Sequence, residues 1–284
     1  MLTATFYGVR GSTPCSCTGT SGYGGNTSCV LVESGDGKTP IVLDMGTGLR
    51  YLGRDMVMAR AEVGENEFEL MAMVSHLHWD HIQGIPFFAP MFDPNFSLRL
   101  VGPQQPGSDL RSEFEKCVRP PVFPIAMQDF PANVDFIETH DETLTIGDVT
   151  VRSFAVPHVG PTNGYRLEAG GASLVYVSDH QQPSDGSLDI PHHVVEACRG
   201  AHTLIHDSQF DEAEQAERPT WGHCTGRFAL ELAKQAGVRR LVLFHHDPAH
   251  DDAWVKRMGD ELAEVAGDTV EVVTAYEGLT FSCG

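Results

Sequence analysis

The chain has 284 residues, 41% hydrophobic and 20% charged, which is enough to bury a sizeable core and too apolar for a disordered chain. Nineteen Lys and Arg against 39 Asp and Glu leave a net charge of −20, a surface that repels polyanions and disfavours a groove for long nucleic acid. No run reaches the roughly 18 apolar residues of a membrane span, and seven scattered cysteines without a Cys-x-x-Cys suit reduced thiols rather than a disulfide framework.

The opening MLTATFYGVRGSTP lacks a basic stretch followed by an apolar one, so a cytoplasmic protein is expected. Short β-type runs come first, at residues 3–7, 28–33 and 41–44, with residues 34–37 read as a hairpin turn between the last two. Residues 8–26 form a polar loop rich in Gly, Ser and Thr. Residues 48–61 predict a helix, and 69–74 an apolar strand that ends in a histidine cluster. Residues 86–131, rich in proline and aromatics, predict an irregular surface segment interrupted by one helix at 109–118.

Strand-like runs at 134–137, 149–156, 165–168 and 174–177 are spaced for an antiparallel meander. The last third alternates: helix 188–199, strand 203–206, helix 226–236, strand 240–244, helix 251–265, then strands 270–274 and 278–281. The acidic stretch 211–217 reads as a solvated helix face. Clustered strands followed by alternation predict sheets covered by helices, an α/β or α+β sandwich. Without a Pro/Gly/Ser linker, residues 1–284 are expected to form a single domain.

Fourteen histidines is the unusual count. Four metal-capable side chains fall together in Ser75-His76-Leu77-His78-Trp79-Asp80-His81, directly after an apolar strand. In extended backbone, residues two apart point the same way, so His76 and His78 can share one ion. Asp80 and His81 lie where the chain turns and would face a neighbouring ion. Imidazole plus carboxylate suits Zn²⁺, with Mn²⁺ or Fe²⁺ also compatible.

This His-x-His-x-Asp-His motif resembles that of the metallo-β-lactamase superfamily of binuclear metallohydrolases, and the resemblance runs nearly the whole chain. Leu43-Asp44-Met45-Gly46-Thr47-Gly48 resembles the family's early strand-turn. Val156-Pro157-His158 resembles the segment with the third histidine of the first site, and Val177-Ser178-Asp179 the one with the bridging aspartate. Leu243-Phe244-His245 resembles the last histidine ligand. Thr220-Trp221-Gly222-His223-Cys224-Thr225 looks like the His-Ser-Thr segment of the ribonuclease Z and phosphodiesterase branch, with Cys224 where serine is frequent. Residues 8–14 (GVRGSTP) and 23–28 (YGGNTS) look like a bacterial subgroup described as metal-dependent hydrolases related to cyclic-nucleotide phosphodiesterases.

The resemblance implies an αββα sandwich of two mixed sheets flanked by helices. It implies two divalent ions, Zn²⁺ foremost, one on His76, His78 and His158, the other on Asp80, His81 and His245, with Asp179 bridging. Two such ions hold a bridging hydroxide at neutral pH and neutralise a phosphoryl oxygen. His223 would donate a proton to the leaving oxygen or bind a phosphate oxygen, and Asp80 and Asp179 would complete the catalytic set. Asp44 is expected to orient a ligand histidine rather than ligate. His245 is favoured over His246 as ligand. His206 resembles an outer partner of the site in this branch but is read as packing, and His180 merits attention because it follows Asp179. The 8–26 loop could present backbone N–H groups to an anion. Cys15 and Cys17 read as an inert reduced pair, and Met56 and Met58 as packing.

The function expected is therefore hydrolysis of a small or cyclic-nucleotide phosphodiester, by a metal-binding hydrolase with no membrane partner. Long nucleic acid is disfavoured because no Lys/Arg-rich insertion is present. The alternatives are a tRNA 3′-end endonuclease, a thioesterase, or a non-catalytic metal-binding sensor. Residues 86–96 (PFFAPMFDPNF) could form a homodimer contact or line the pocket.

Overall fold

The computed structural model describes residues 1–35, 37, 40–63 and 67–284. One sheet contains Leu2–Gly8 (β1), Cys29–Ser34 (β2), Ile41–Leu43 (β3), Phe68–Met73 (β4), Phe96–Pro103 (β5), Asn133–Thr139 (β6) and Thr280–Cys283 (β14), in the order β14-β1-β2-β3-β4-β5-β6. The other contains Thr143–Ile146 (β7), Val149–Ala155 (β8), Asn163–Ala169 (β9), Ala172–Val177 (β10), Thr203–Asp207 (β11), Arg240–Phe244 (β12) and Glu271–Thr274 (β13), in the order β13-β12-β11-β10-β9-β8-β7. Both are mixed: β3 to β6 and β10 to β13 pair in parallel, the remaining neighbours antiparallel.

The alternation of side chains sorts the core into layers. Along β10, Leu174 and Tyr176 face the opposite sheet, where they join Phe6, Val32, Met73, Leu167 and Phe244. Val175 and Val177 point the other way, against helices, in a cluster with Val194, Leu204, Leu230 and Leu243. The outer face of the first sheet is covered likewise, with Leu70, Ala72, Leu98 and Leu100 packed near Leu49, Leu52, Leu110 and Phe114. All six residues of β10 are buried, as expected of a strand covered on both faces. The result is the expected αββα sandwich.

The helices are Leu49–Val63 (α1), Trp79–Ile82 (α2), Leu110–Cys117 (α3), His192–Cys198 (α4), Glu212–Glu217 (α5), Gly226–Ala236 (α6) and Asp252–Ala266 (α7). Their ends follow local chemistry. The Thr225 side chain caps α6 by accepting from Phe228 N–H, and Gly237 stops it with a left-handed φ of 66°. Asp211 and Glu214 make a reciprocal capping box on α5.

Three expectations need correction, and one lies partly outside the described residues. The 86–131 segment, read as irregular apart from one helix, contains β5, an eight-residue strand paired on both sides. The alternation Phe96, Leu98, Leu100 buried against half-buried Ser97 and Arg99 was hidden by flanking prolines. The 134–137 run does not open the meander: β6 lies parallel to β5 in the other sheet, and β7, missed in sequence, opens it instead. The 188–199 helix starts only at His192, because Pro191 biases its predecessor away from helix. The proposed 34–37 turn includes residue 36, which lies outside the described residues; Gly37 N–H does donate to Ser34 O at 3.1 Å.

Candidate metal centre

Strands β3, β4, β8, β10 and β12 carry predicted site residues at or just past their carboxyl ends, and β11 ends in Asp207 on the same side. Within each sheet these strands run the same way, because β3 is parallel to β4, β10 to β11 and β12, and β8 reaches β10 through two antiparallel steps. The carboxyl ends therefore gather on one edge of the sandwich, where open sheets typically place ligands.

His76 and His78 lie on extended backbone after β4. His78 (φ −65°, ψ 151°) is the last extended residue before the four-residue α2, whose first turn carries Asp80 and His81. His76, His78, His158 and Asp179 bring one ligand atom each to within 4.8 Å of one another, and so do Asp80, His81 and His245. In the first group His158 Nε2 lies 3.1 Å from His78 Nδ1, and Asp179 Oδ2 is 3.7 Å from His76 Nε2 and 3.6 Å from His158 Nε2. In the second, Asp80 Oδ2 is 3.1 Å from both His81 Nε2 and His245 Nε2. Asp179 Oδ1 lies 3.2 Å from His81 Nε2 and 3.3 Å from His245 Nε2. The two oxygens of one carboxylate thus face different groups.

Four of the five rings are aimed by what their other nitrogen touches. His81 Nδ1 donates to Asp44 Oδ2 at 2.7 Å, His158 Nδ1 to the Gly222 carbonyl at 2.7 Å, and His245 Nδ1 to Gln209 Oε1 at 2.9 Å. Ser75 Oγ gives its proton to Asp44, so toward His76 Nδ1, 3.0 Å away, it accepts. His76 Nε2 is then a bare lone pair. It is buried without a hydrogen-bond partner, as is Asp179 Oδ1. Buried polar atoms seldom go unsatisfied, and these two point into the centre where a cation fits.

Electrostatics agree with a cation-binding role. Burial, with repulsion from His81, pushes His76 well below the ordinary histidine range, and burial also lowers His78 and His158. These rings stay neutral, as ligands must. Burial would raise Asp80 and Asp179, but the surrounding imidazoles overcome it and hold both carboxyls well below their usual range. For His81, burial is outweighed by Asp80, Asp179 and Asp44, which hold a proton on the ring. An arriving cation would displace that proton.

Asp44 is the hub, and it sits where the sequence reading placed it. It also accepts from Ser75 N–H at 2.7 Å and from Tyr176 Oη at 2.7 Å. Three of the four non-glycine residues with positive φ among the described residues lie here: Ser12 (60°), Asp44 (60°) and His245 (61°). Such strain persists only where surroundings over-determine it, and it concentrates at functional sites. Ser12 N–H donates to Asp80 Oδ2 at 2.7 Å, so the 8–26 loop offers a backbone donor to a carboxylate of the cluster. Buried Arg10 pins that loop, donating from Nε to Gly24 O and from Nη1 to Asp247 O and His250 O. A Cβ on Gly11 would overlap the His245 ring, and one on Gly222 the His158 ring.

His223 lies between the groups, its ring centroid 5.1 Å from His245 and 5.9 Å from His158. Its Nδ1 is 3.2 Å from Asp207 Oδ2. Burial would lower this histidine, but Asp207 outweighs it and pushes it up to about 9. Asp179, His223 and His245 also satisfy the spacing for a shared ion. Of the neighbours left open in sequence, His246 turns away and donates to Ala275 O, while His206 and His180 contact each other at 3.0 Å. The residue that reaches the site from β11 is Asp207. Sequence reasoning missed it, together with Gln209, Ser12, Ser75 and Tyr176. Only the pairing of Asp207 with the preceding histidine hinted at one of them.

A family model described as the beta-lactamase superfamily domain matches residues 60–246, which include every candidate ligand and His223. Ribonuclease Z of Haloarcula marismortui is 24% identical over 98% of this chain and 96% of its own length. Ribonuclease Z of Haloferax volcanii is 27% identical over 86% of this chain and 84% of its own length. Among solved structures, the metallo-β-lactamase fold protein YhfI from Bacillus subtilis superposes with a TM-score of 0.71 at 21% identity, covering 99% of this chain and 98% of that one. A diphosphatase of the PhnP family gives 0.66 at 17% identity, over 100% and 98%. Zinc-bound PqqB from Methylobacterium extorquens gives 0.63 at 19%, over 99% of both.

Fold and cluster together define a hydrolase of the metallo-β-lactamase type. The chain belongs to the β-lactamase superfamily domain family and is a metal-dependent hydrolase. Among the described residues no helix is long and apolar enough to cross a membrane.

Proposed function

We propose that the chain is a binuclear phosphodiesterase acting on small or cyclic nucleotides. The observation that carries the reading is the split carboxylate: Asp179 Oδ2 faces His76 and His158, and Oδ1 faces His81 and His245. His76, His78 and His158 would hold one divalent ion, Asp80, His81 and His245 the other, with Asp179 shared. Zinc suits five imidazoles and two carboxylates. Two bound ions lower the pKa of water and neutralise charge on a phosphoryl oxygen. The chain's own groups do the rest. Asp44, Gln209, Ser75 and the Gly222 carbonyl hold the rings in register. Asp207 anchors His223 Nδ1, which leaves Nε2 to deliver a proton to the leaving oxygen.

Ribonuclease Z relatives support a second reading, cleavage of an RNA phosphodiester by the same chemistry. The net charge of −20 weighs toward small substrates, because the polyanion gains nothing from the surface. The test is a panel assayed with Zn²⁺- or Mn²⁺-loaded protein and Asp80→Ala as blank: 2′,3′- and 3′,5′-cyclic nucleotides, a thioester and a pre-tRNA. Turnover of a cyclic nucleotide, absent in the blank, is the expected result. Cleavage of the pre-tRNA alone would replace the first reading with the second.

A further inference from the structure

Beside His158 opens a cavity of about 510 Å³ whose walls come from the segments after β8, after β10 and before Gly222. The volume suits a small organic group. Val159, Pro183, Pro191 and Pro219 give it flat apolar faces, and no Lys or Arg is among its lining residues. Its two glutamine amides are consumed in building the walls. Gln181 donates to Gln182 O and Pro219 O and accepts from Gly222 N–H. Gln182 donates to Gly186 O and Ser187 O and accepts from Thr225. The cavity is therefore tied in place before anything enters. Gln181 also links it to the Gly222 turn that aims His158. Asp189 is the one lining carboxylate. It repels a second phosphate and accepts from N–H donors. By contrast, the cavity between α5, α6 and α7 has no candidate ligand in its wall.

We infer that this cavity is the subsite for an uncharged, flat, N–H-bearing group joined to the scissile phosphate, a nucleobase above all, and not for a further phosphate. The inference rests on the phosphodiesterase reading for its phosphate, but the cavity is tested separately. The proline and valine faces pack against a flat ring, and Asp189 favours bases carrying an amino group.

Calorimetry with adenosine and with ribose, on the metal-loaded protein, tests it without turnover. Adenosine should bind and ribose should not. Ser184→Trp, at an exposed lining position, should weaken adenosine at least tenfold, and Thr220→Trp, on the segment before Gly222, should do the same should the first variant fold poorly. No adenosine binding, or equal binding in a folded filled variant, would overturn the subsite. In turnover, Ser184→Trp should raise KM for adenosine 2′,3′-cyclic phosphate at least tenfold with kcat within twofold, and leave glycerol 2,3-cyclic phosphate unchanged. Adenosine binding that the fillers abolish, with neither diester hydrolysed, would sink the phosphodiesterase reading and sustain the cavity.

Discussion

In the first ligand cluster His78 is exposed, while His76 and the His158 ring are buried; in the second, Asp80, His81 and His245 are each 5% exposed or less. The two ligand clusters also differ in what holds them. The open cluster is aimed by a serine hydroxyl and a backbone carbonyl. The deep one is aimed by a carboxylate on His81, an amide on His245 and a backbone N–H on Asp80. Backbone strain follows the same division: Ser12, Asp44 and His245 all belong to the deep side. The difference assigns roles. Strained, buried and multiply bonded groups are pre-organised, so the deep cluster should keep its ion longest. The open cluster borders the cavity beside His158 and should exchange its ion first and meet the substrate.

Removing the group common to both clusters is the harshest test. Asp179→Ala should lower turnover on the order of 10⁴-fold or more, and ion content measured by elemental analysis should fall below two per chain. Retained turnover would break the binuclear model. His223→Ala comes next, with a kcat loss on the order of 10²–10³-fold at unchanged ion content. The loss should shrink for a p-nitrophenolate leaving group, which needs no proton. A loss independent of the leaving group would remove His223 from proton delivery.

Asp44→Asn sharpens the contrast between clusters. It should weaken the deep ion about 10- to 100-fold and the open one, which Asp44 reaches only through Ser75, by less, as read by chelator titration of the Co²⁺-substituted protein. Equal weakening at both clusters would mean that the division does not hold. Tyr176→Phe should have the smallest effect. It deletes one of the bonds to Asp44 and should cost about 1 kcal/mol in thermal unfolding with little change in kcat.

Much of this was legible in the chain itself. The strand ending in His76-Leu-His78 and the turn carrying Asp80 and His81 are local, so spacing and pattern dictate their geometry. Helices with good caps, such as α6 between Thr225 and Gly237, were bounded nearly to the residue. Strand β5 was not, since prolines on both sides disguise its alternation and only pairing with β4 and β6 shows it is interior. The partners of the site were also out of reach. Tyr176 meets Asp44 across 132 residues, and Ser12 meets Asp80 across 68. No local propensity encodes such pairs. They exist because two sheets bring their carboxyl ends to one edge, and burial there forces every polar atom to find a partner. The sequence alone therefore named the side chains proposed to hold the ions. Tertiary structure decided which nitrogen of a ring faces the centre, which oxygen of Asp179 faces each cluster, and that a cavity with apolar walls lies at their side.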